Sequence, residues 1–277
     1  MIAPDIKLVS PKFGFSRRPS LLTHVSLLVL PLLIPSLEAK IEAIHFTEAE
    51  GYALSPSPLY SQPVASPAWL STAGILSDGA AGLVYLDAQT NGIAVYKNRI
   101  KTAPGTMIGV SAAFKFRGIE NASTENHYIL GLGLSPEPTL QGARLQEDNA
   151  KLMLARIKGE AQYKIYATTA EHKEWKAAVA PLGSVGHKNG SSDWSDSLQL
   201  VFLLTKTDSP NLWKVSASLL NLDTAATVAT LELPALKTSE AFYKADALYA
   251  SFQIILKEVD EEKAGVSIHA FSIQGAD

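Results

Sequence analysis

The amino-acid sequence predicts an all-β protein, a two-sheet antiparallel sandwich preceded by an N-terminal signal segment, on three observations. Short runs of alternating apolar and polar residues recur from residue 41 onward, as half-buried strands require. Gly, Pro, Asn, Asp and Ser separate these runs at turn spacing. No long stretch past residue 40 keeps a helical period.

The strands are expected, in order, at 41–46, 82–86, 93–96, 108–116, 128–134, 152–157 and 163–168. They continue at 175–179, 198–205, 213–220, 227–233, 248–256 and 266–273. Turn signals fall between them: TNG at 90–92, LSPEP at 134–138, IKGE at 157–160 and TDSPN at 207–211. In NLWKVSASL, Trp213, Val215, Ala217 and Leu219 share one face, expected inward, while Lys214, Ser216 and Ser218 share the other. LQLVFLLT at 198–205 is apolar on both faces, which suits a strand near the middle of a sheet. Residues 53–68, with four prolines, read as an extended surface connection, and 139–150 as a loop. No linker and no fixed-period repeat divides residues 40–277, so one sandwich domain is expected there.

Hydrophobic residues make up 47% of the 277-residue chain, which is enough for a packed core. A net charge of -3 with scattered Lys and Arg leaves no electrostatic footprint for nucleic acid. The absence of cysteine removes disulfides, thiolate metal sites and cysteine nucleophiles. Residues 17–39, RRPSLLTHVSLLVLPLLIPSLEA, have the basic start, apolar middle and small-residue exit of a secretory leader. Pro31 and Pro35 break the apolar run, leaving it short of the about 20 residues of a membrane span. Residues 1–39 are therefore expected to direct the protein to the periplasm, the cell envelope or the outside. A membrane contact would come only through an uncleaved leader.

Several stretches together resemble a known family. FTEAEGYALSPSPLYSQPVASPAW (46–69) is similar to the opening of concanavalin A-like, laminin-G-like jelly rolls of exported bacterial proteins. DGAAGLVYLDAQTNGIAVYKN (78–98) is similar to their next strand pair. WSDSLQLVFLLTKTDSPNLWKVSASLLN (194–221) resembles their Trp-led strand and hairpin, and ALYASFQIILKEVDEEKAGVSIHAFSI (247–273) their closing strands. The resemblance implies a jelly-roll sandwich in a superfamily of lectins, adhesion modules, glucanases and lyases, so it fixes no activity.

Family-sixteen glycoside hydrolases of this superfamily carry a Glu-apolar-Asp-apolar-Glu strand, and Glu258, Asp260 and Glu262 match its outline. Glu261 stands where an apolar residue is wanted, and the acids fall between two alternating runs. They are therefore expected at the solvated tip of a hairpin. At 189–196, Trp194 could stack on a sugar ring while Asp193, Asp196 and Asn189 bind hydroxyls or a calcium ion. Alternatively, Trp194 caps the sandwich where its strand begins. Glu48 and Glu50, beside Tyr52, could hold a structural calcium, or be solvated edge charges. Trp175 and Trp213 are expected in the core, and Trp69 and Tyr60 at the surface. His24, His45, His127, His172, His187 and His269 show no metal or triad spacing. The functional expectation is a non-catalytic exported module that binds an extracellular polysaccharide or cell-surface component. A polysaccharide-cleaving enzyme of the same fold and a structural envelope protein are the alternatives.

Overall fold

The computed structural model describes residues 40–86, 91–119, 126–141, 149–160, 162–169, 177–187, 190–256 and 263–275. The strands begin with β1 (Lys40–Ile44), β2 (Ser57–Pro58), β3 (Trp69–Ser71), β4 (Ile75–Ser77), β5 (Leu83–Tyr85) and β6 (Asn91–Lys101). They continue with β7 (Met107–Arg117), β8 (His127–Ser135), β9 (Ala150–Arg156), β10 (Gln162–Thr168) and β11 (Ala177–Pro181). The series closes with β12 (Leu198–Lys206), β13 (Leu212–Asn221), β14 (Ala226–Lys237), β15 (Ala247–Ile255) and β16 (Gly265–Gly275). One sheet has nine strands, in the order β14-β13-β12-β7-β16-β5-β4-β2 with β1 added on β16. The other has seven, in the order β11-β10-β9-β8-β15-β6-β3. All strand pairs are antiparallel.

The period-two pattern builds one core between the sheets. Trp213, Val215, Ala217 and Leu219 of β13 are all buried, and β12 and β7 supply Leu200, Phe202, Leu204, Val110 and Phe114 beside them. β12 lies between β13 and β7, away from either edge, as its two apolar faces required. The seven-stranded sheet adds Leu132, Leu152, Leu154, Ile165 and Phe252 from the opposite side.

Two expectations are corrected around the proline-rich segment. Trp69 is not a surface residue. It is 1% exposed, because β3 pairs with β6 and directs the indole inward. Phe46, Tyr52, Tyr96, Phe252 and Phe271 surround the ring, and its Nε1 donates to Tyr52 Oη at 2.8 Å. The connection at 53–68 is likewise pinned down: Leu59 is fully buried, and buried Gln62 accepts the Ala53 N–H through Oε1 at 3.0 Å. Tyr60 is exposed, as expected. The only α-helix among the described residues, α1 (Glu240–Lys244), starts at Ser239, whose Oγ accepts the Phe242 N–H at 3.2 Å. Its Phe242 packs edge-on against Trp213 at 5.5 Å.

A third correction concerns the acidic stretch. β15 and β16 do not form a hairpin, since β15 lies inside the seven-stranded sheet and β16 inside the nine-stranded one. Each already has neighbours on both sides, and neither pairs with the other. Glu258, Asp260 and Glu262 themselves lie outside the described residues, as does Trp175.

Candidate functional site

Each strand of the seven-stranded sheet has a second face, turned away from the core. On β15, Leu248, Ala250, Phe252 and Ile254 enter the core, so Tyr249, Ser251 and Gln253 point outward. Strand register then sets the outward residues in rows. One row runs Ile93, Gln253, Gly131, Met153, Tyr166, and the next Val95, Ser251, Gly133, Lys151, Thr168. Tyr249 begins a third row opposite Ser135.

These rows form a floor with walls. Gly131 and Gly133 leave the centre of β8 without side chains. A Cβ at Gly133 would come within 2.6 Å of Ser251 Oγ and 3.6 Å of Lys151 Cγ. On one side Ile93, Val95 and Tyr249 form an apolar cluster with Leu70 and Leu140. On the other, Met153, Ala155 and Tyr166 form a second, with Tyr128 and Ile157. Both clusters are separate from the main core.

The polar groups between the walls are buried. Gln253 is 3% exposed and its Oε1 has no hydrogen-bond partner among the described residues. Asn149, just before β9, is 4% exposed, and its Nδ2 has no partner among the described residues. Leaving such a group unpaired costs about 1–3 kcal/mol, which packing alone does not explain. Lys151 is also buried here. Burial, reinforced by neighbouring Tyr128, pushes the Tyr166 hydroxyl well above its ordinary range and keeps it neutral. At the rim, exposed Arg99 donates from Nε to Tyr249 Oη at 3.2 Å.

The residues singled out from the sequence lie elsewhere. Trp194 is half-buried at the end of the sandwich, with the Arg117 guanidinium 4.7 Å above its ring. Asp193 is exposed, and its N–H is bonded to Ser191 Oγ. Asp196 Oδ2 accepts from Asn221 Nδ2 at 2.7 Å, and Asn221 also donates to the Ser184 carbonyl. The Asp196 carboxylate thus ties its loop to β13. Asn189 lies outside the described residues. Glu50 is occupied by the backbone: its carboxylate accepts the N–H groups of His45, at 2.9 and 3.0 Å, and of Thr47, at 3.2 Å. Glu48 is exposed. Among the described residues no group of three or more His, Asp or Glu could hold a metal ion.

A separate polar group lies at the same end as Trp194. His187 Nδ1 is 3.1 Å from Tyr163 Oη, its ring packs on Phe116 at 4.9 Å, and its Nε2 has no partner among the described residues. Burial, then the charge of Arg156, pushes the imidazole down to about 4.

The two sheets define the concanavalin A-like jelly roll, and comparison with solved structures shows the same fold. Arcelin-5, a lectin-like defence protein from Phaseolus vulgaris, superposes with a TM-score of 0.54 at 9% identity, covering 85% of this chain and 97% of that one. Lectin II from Ulex europaeus gives 0.52 at 8% identity, over 87% and 100%. An endo-1,3-β-glucanase from Streptomyces sioyaensis gives 0.50 at 11% identity, over 88% and 99%. No protein-family model and no curated protein sequence matches the chain.

Gln253, Asn149, Lys151 and Ser251 were not among the sequence-derived site residues. Their signal is faint: single polar residues inside strongly apolar strands, FQII and AKLML, facing glycines in ILGLGL.

Proposed function

We propose that the protein is an exported, non-catalytic carbohydrate-binding module that holds a glycan against the outer face of its seven-stranded sheet. The observation that carries this is the pair of buried groups without partners among the described residues, Gln253 Oε1 and Asn149 Nδ2, on a glycine floor between two tyrosine-bearing walls. An acceptor and a donor in such a place suit sugar hydroxyls, and the tyrosines suit the apolar face of a ring. The lectins of the same fold support the class of ligand. Among the described residues, the strands of this sheet carry no Asp or Glu, whereas glycoside hydrolysis uses a pair of carboxylates across the bond. This favours binding over cleavage. The basic, apolar and small-residue pattern of 17–39 supports export to the envelope or beyond.

Since Gln253 and Asn149 are both under 5% exposed, a glycan reaches them through an opening step. Association is then slower than the usual lower range of about 10⁵ M⁻¹s⁻¹. A glycan array with the full protein, repeated with Gln253→Leu, tests the reading. Binding that Gln253→Leu abolishes supports it; binding that survives moves the site elsewhere. Sugar release on incubation would replace it with the polysaccharide-cleaving alternative. Fractionation of the source cells tests export, and protein retained in the cytoplasm would end that part.

A further inference from the structure

Strand register sets nine outward positions of this face in a grid whose columns are β15, β8 and β9. The first row is Gln253, Gly131 and Met153, and the second is Ser251, Gly133 and Lys151. The third is Tyr249, Ser135 and Asn149, which extends β9 by one residue beyond Ala150. Carboxamides hold one diagonal, with Gln253 and Asn149 at opposite corners. Tyr249 and Met153 hold the other two corners, each within one of the two apolar clusters. Gly133 stands at the centre and leaves the diagonal clear, where a Cβ would meet Ser251 Oγ at 2.6 Å.

The corners fix a length. Gln253 and Asn149 are two rows and two strands apart, which separates their Cα atoms by about 17 Å. Side chains in a sheet stand roughly perpendicular to it, so the two carboxamides are held about as far apart. One pyranose ring spans roughly one strand spacing, about 5 Å, and cannot touch both. All nine positions are buried, so the shielded area is also wider than one ring in both directions. Three rings in line cover the diagonal. The outer two bring hydroxyls to Gln253 Oε1 and Asn149 Nδ2, neither of which has a partner among the described residues. The middle ring passes over Gly133, with Tyr249 and Met153 flanking the chain on its apolar sides. We infer that this face binds an oligosaccharide segment of three or more units, laid obliquely across β15, β8 and β9, and not a single sugar. This inference rests on the outer face being the glycan site.

The test is a length series, read by calorimetry on the full protein: laminari-, cello-, malto-, manno- and xylo-oligosaccharides of one to six units. In a series that binds, affinity is expected to rise at least about tenfold from one unit to three. Asn149→Leu is expected to remove most of that gain and to leave one- and two-unit ligands within about twofold of the parent, since a chain anchored on Gln253 reaches Asn149 only with its third ring. The series on the parent protein carries the test even if Asn149→Leu fails to fold. Affinity already complete at one or two units, or an Asn149→Leu loss equal at every length, would overturn the length inference and leave the glycan site standing. No binding in any series would overturn it as well, and if the wider array is also blank the glycan site falls with it.

Discussion

The two sheets share one core but differ on their outer faces. The nine-stranded sheet turns Ser111, Val201, Ser218 and Thr230 outward in one cross-strand row, all half-buried or exposed. Polar groups in and beside this row are served locally: Ser216 Oγ donates to Glu232 at 2.6 Å, and Gln199 Nε2 reaches Ser111 Oγ at 3.4 Å. The seven-stranded sheet turns Val95, Ser251, Gly133 and Lys151 outward in the equivalent row, with both side-chain clusters buried and Gln253 left short of a partner among the described residues. A face that meets water can satisfy itself in many ways. A buried face that keeps unpaired groups carries a cost in stability.

Matched substitutions sharpen this contrast. Val95→Asp is expected to destabilise the protein by about 3–5 kcal/mol, since it buries a carboxylate, against about 1 kcal/mol for Val201→Asp on the other sheet. Chemical denaturation of both variants measures the gap, and equal losses would erase the distinction between the faces. Gln253→Leu is expected to stabilise by about 1–2 kcal/mol while abolishing glycan binding, because it removes an unsatisfied buried acceptor. Gln199→Leu, whose amide is already bonded, should bring no such gain. A Gln253→Leu variant less stable than its parent would mean the glutamine is structural.

A smaller effect concerns the sandwich end, where both sheets meet His187. Its folded value of about 4 lies below the usual 6.5, so the unfolded chain binds the proton more readily. Stability is complete above about pH 6.5, falls as pH drops toward 4, and levels off below that. Thermal midpoints between pH 7 and 4 should show this slope, flattened by a few °C in His187→Gln. An unchanged slope would assign it to other groups. The smallest effect belongs to Glu232→Ala on the solvent-facing sheet, expected within about 0.5 kcal/mol of the parent.

The strands were legible because alternation is a local property. All the expected runs whose residues are described, from 41–46 to 266–273, fall on or overlap strands. Partition between sheets is not local. Nothing in LYASFQIIL and VSIHAFSI says that one joins β6 and β8 while the other joins β5 and β7, so the intervening acids read as a hairpin tip. Trp69 was misplaced for a related reason. The prolines before it signalled surface, but pairing with β6 sets which way the indole turns. The candidate site was hidden by its economy. Sequence reading is drawn to clustered acids and loop tryptophans, whereas this face is written in isolated residues whose neighbours come from strands far apart in the chain. Where both faces of a strand are apolar, as in AKLMLAR, one sequence cannot tell core from outer face.

The chain's last two long strands occupy interior positions in opposite layers. β15 closes the gap between β6 and β8, and β16 the gap between β5 and β7, with β1 resting on it. Until those segments leave the ribosome, five earlier strands, β1, β5, β6, β7 and β8, lack a neighbour and neither layer is continuous. Collapse is thereby deferred until residues 247–275 have been made, and the polypeptide stays threadable up to that point.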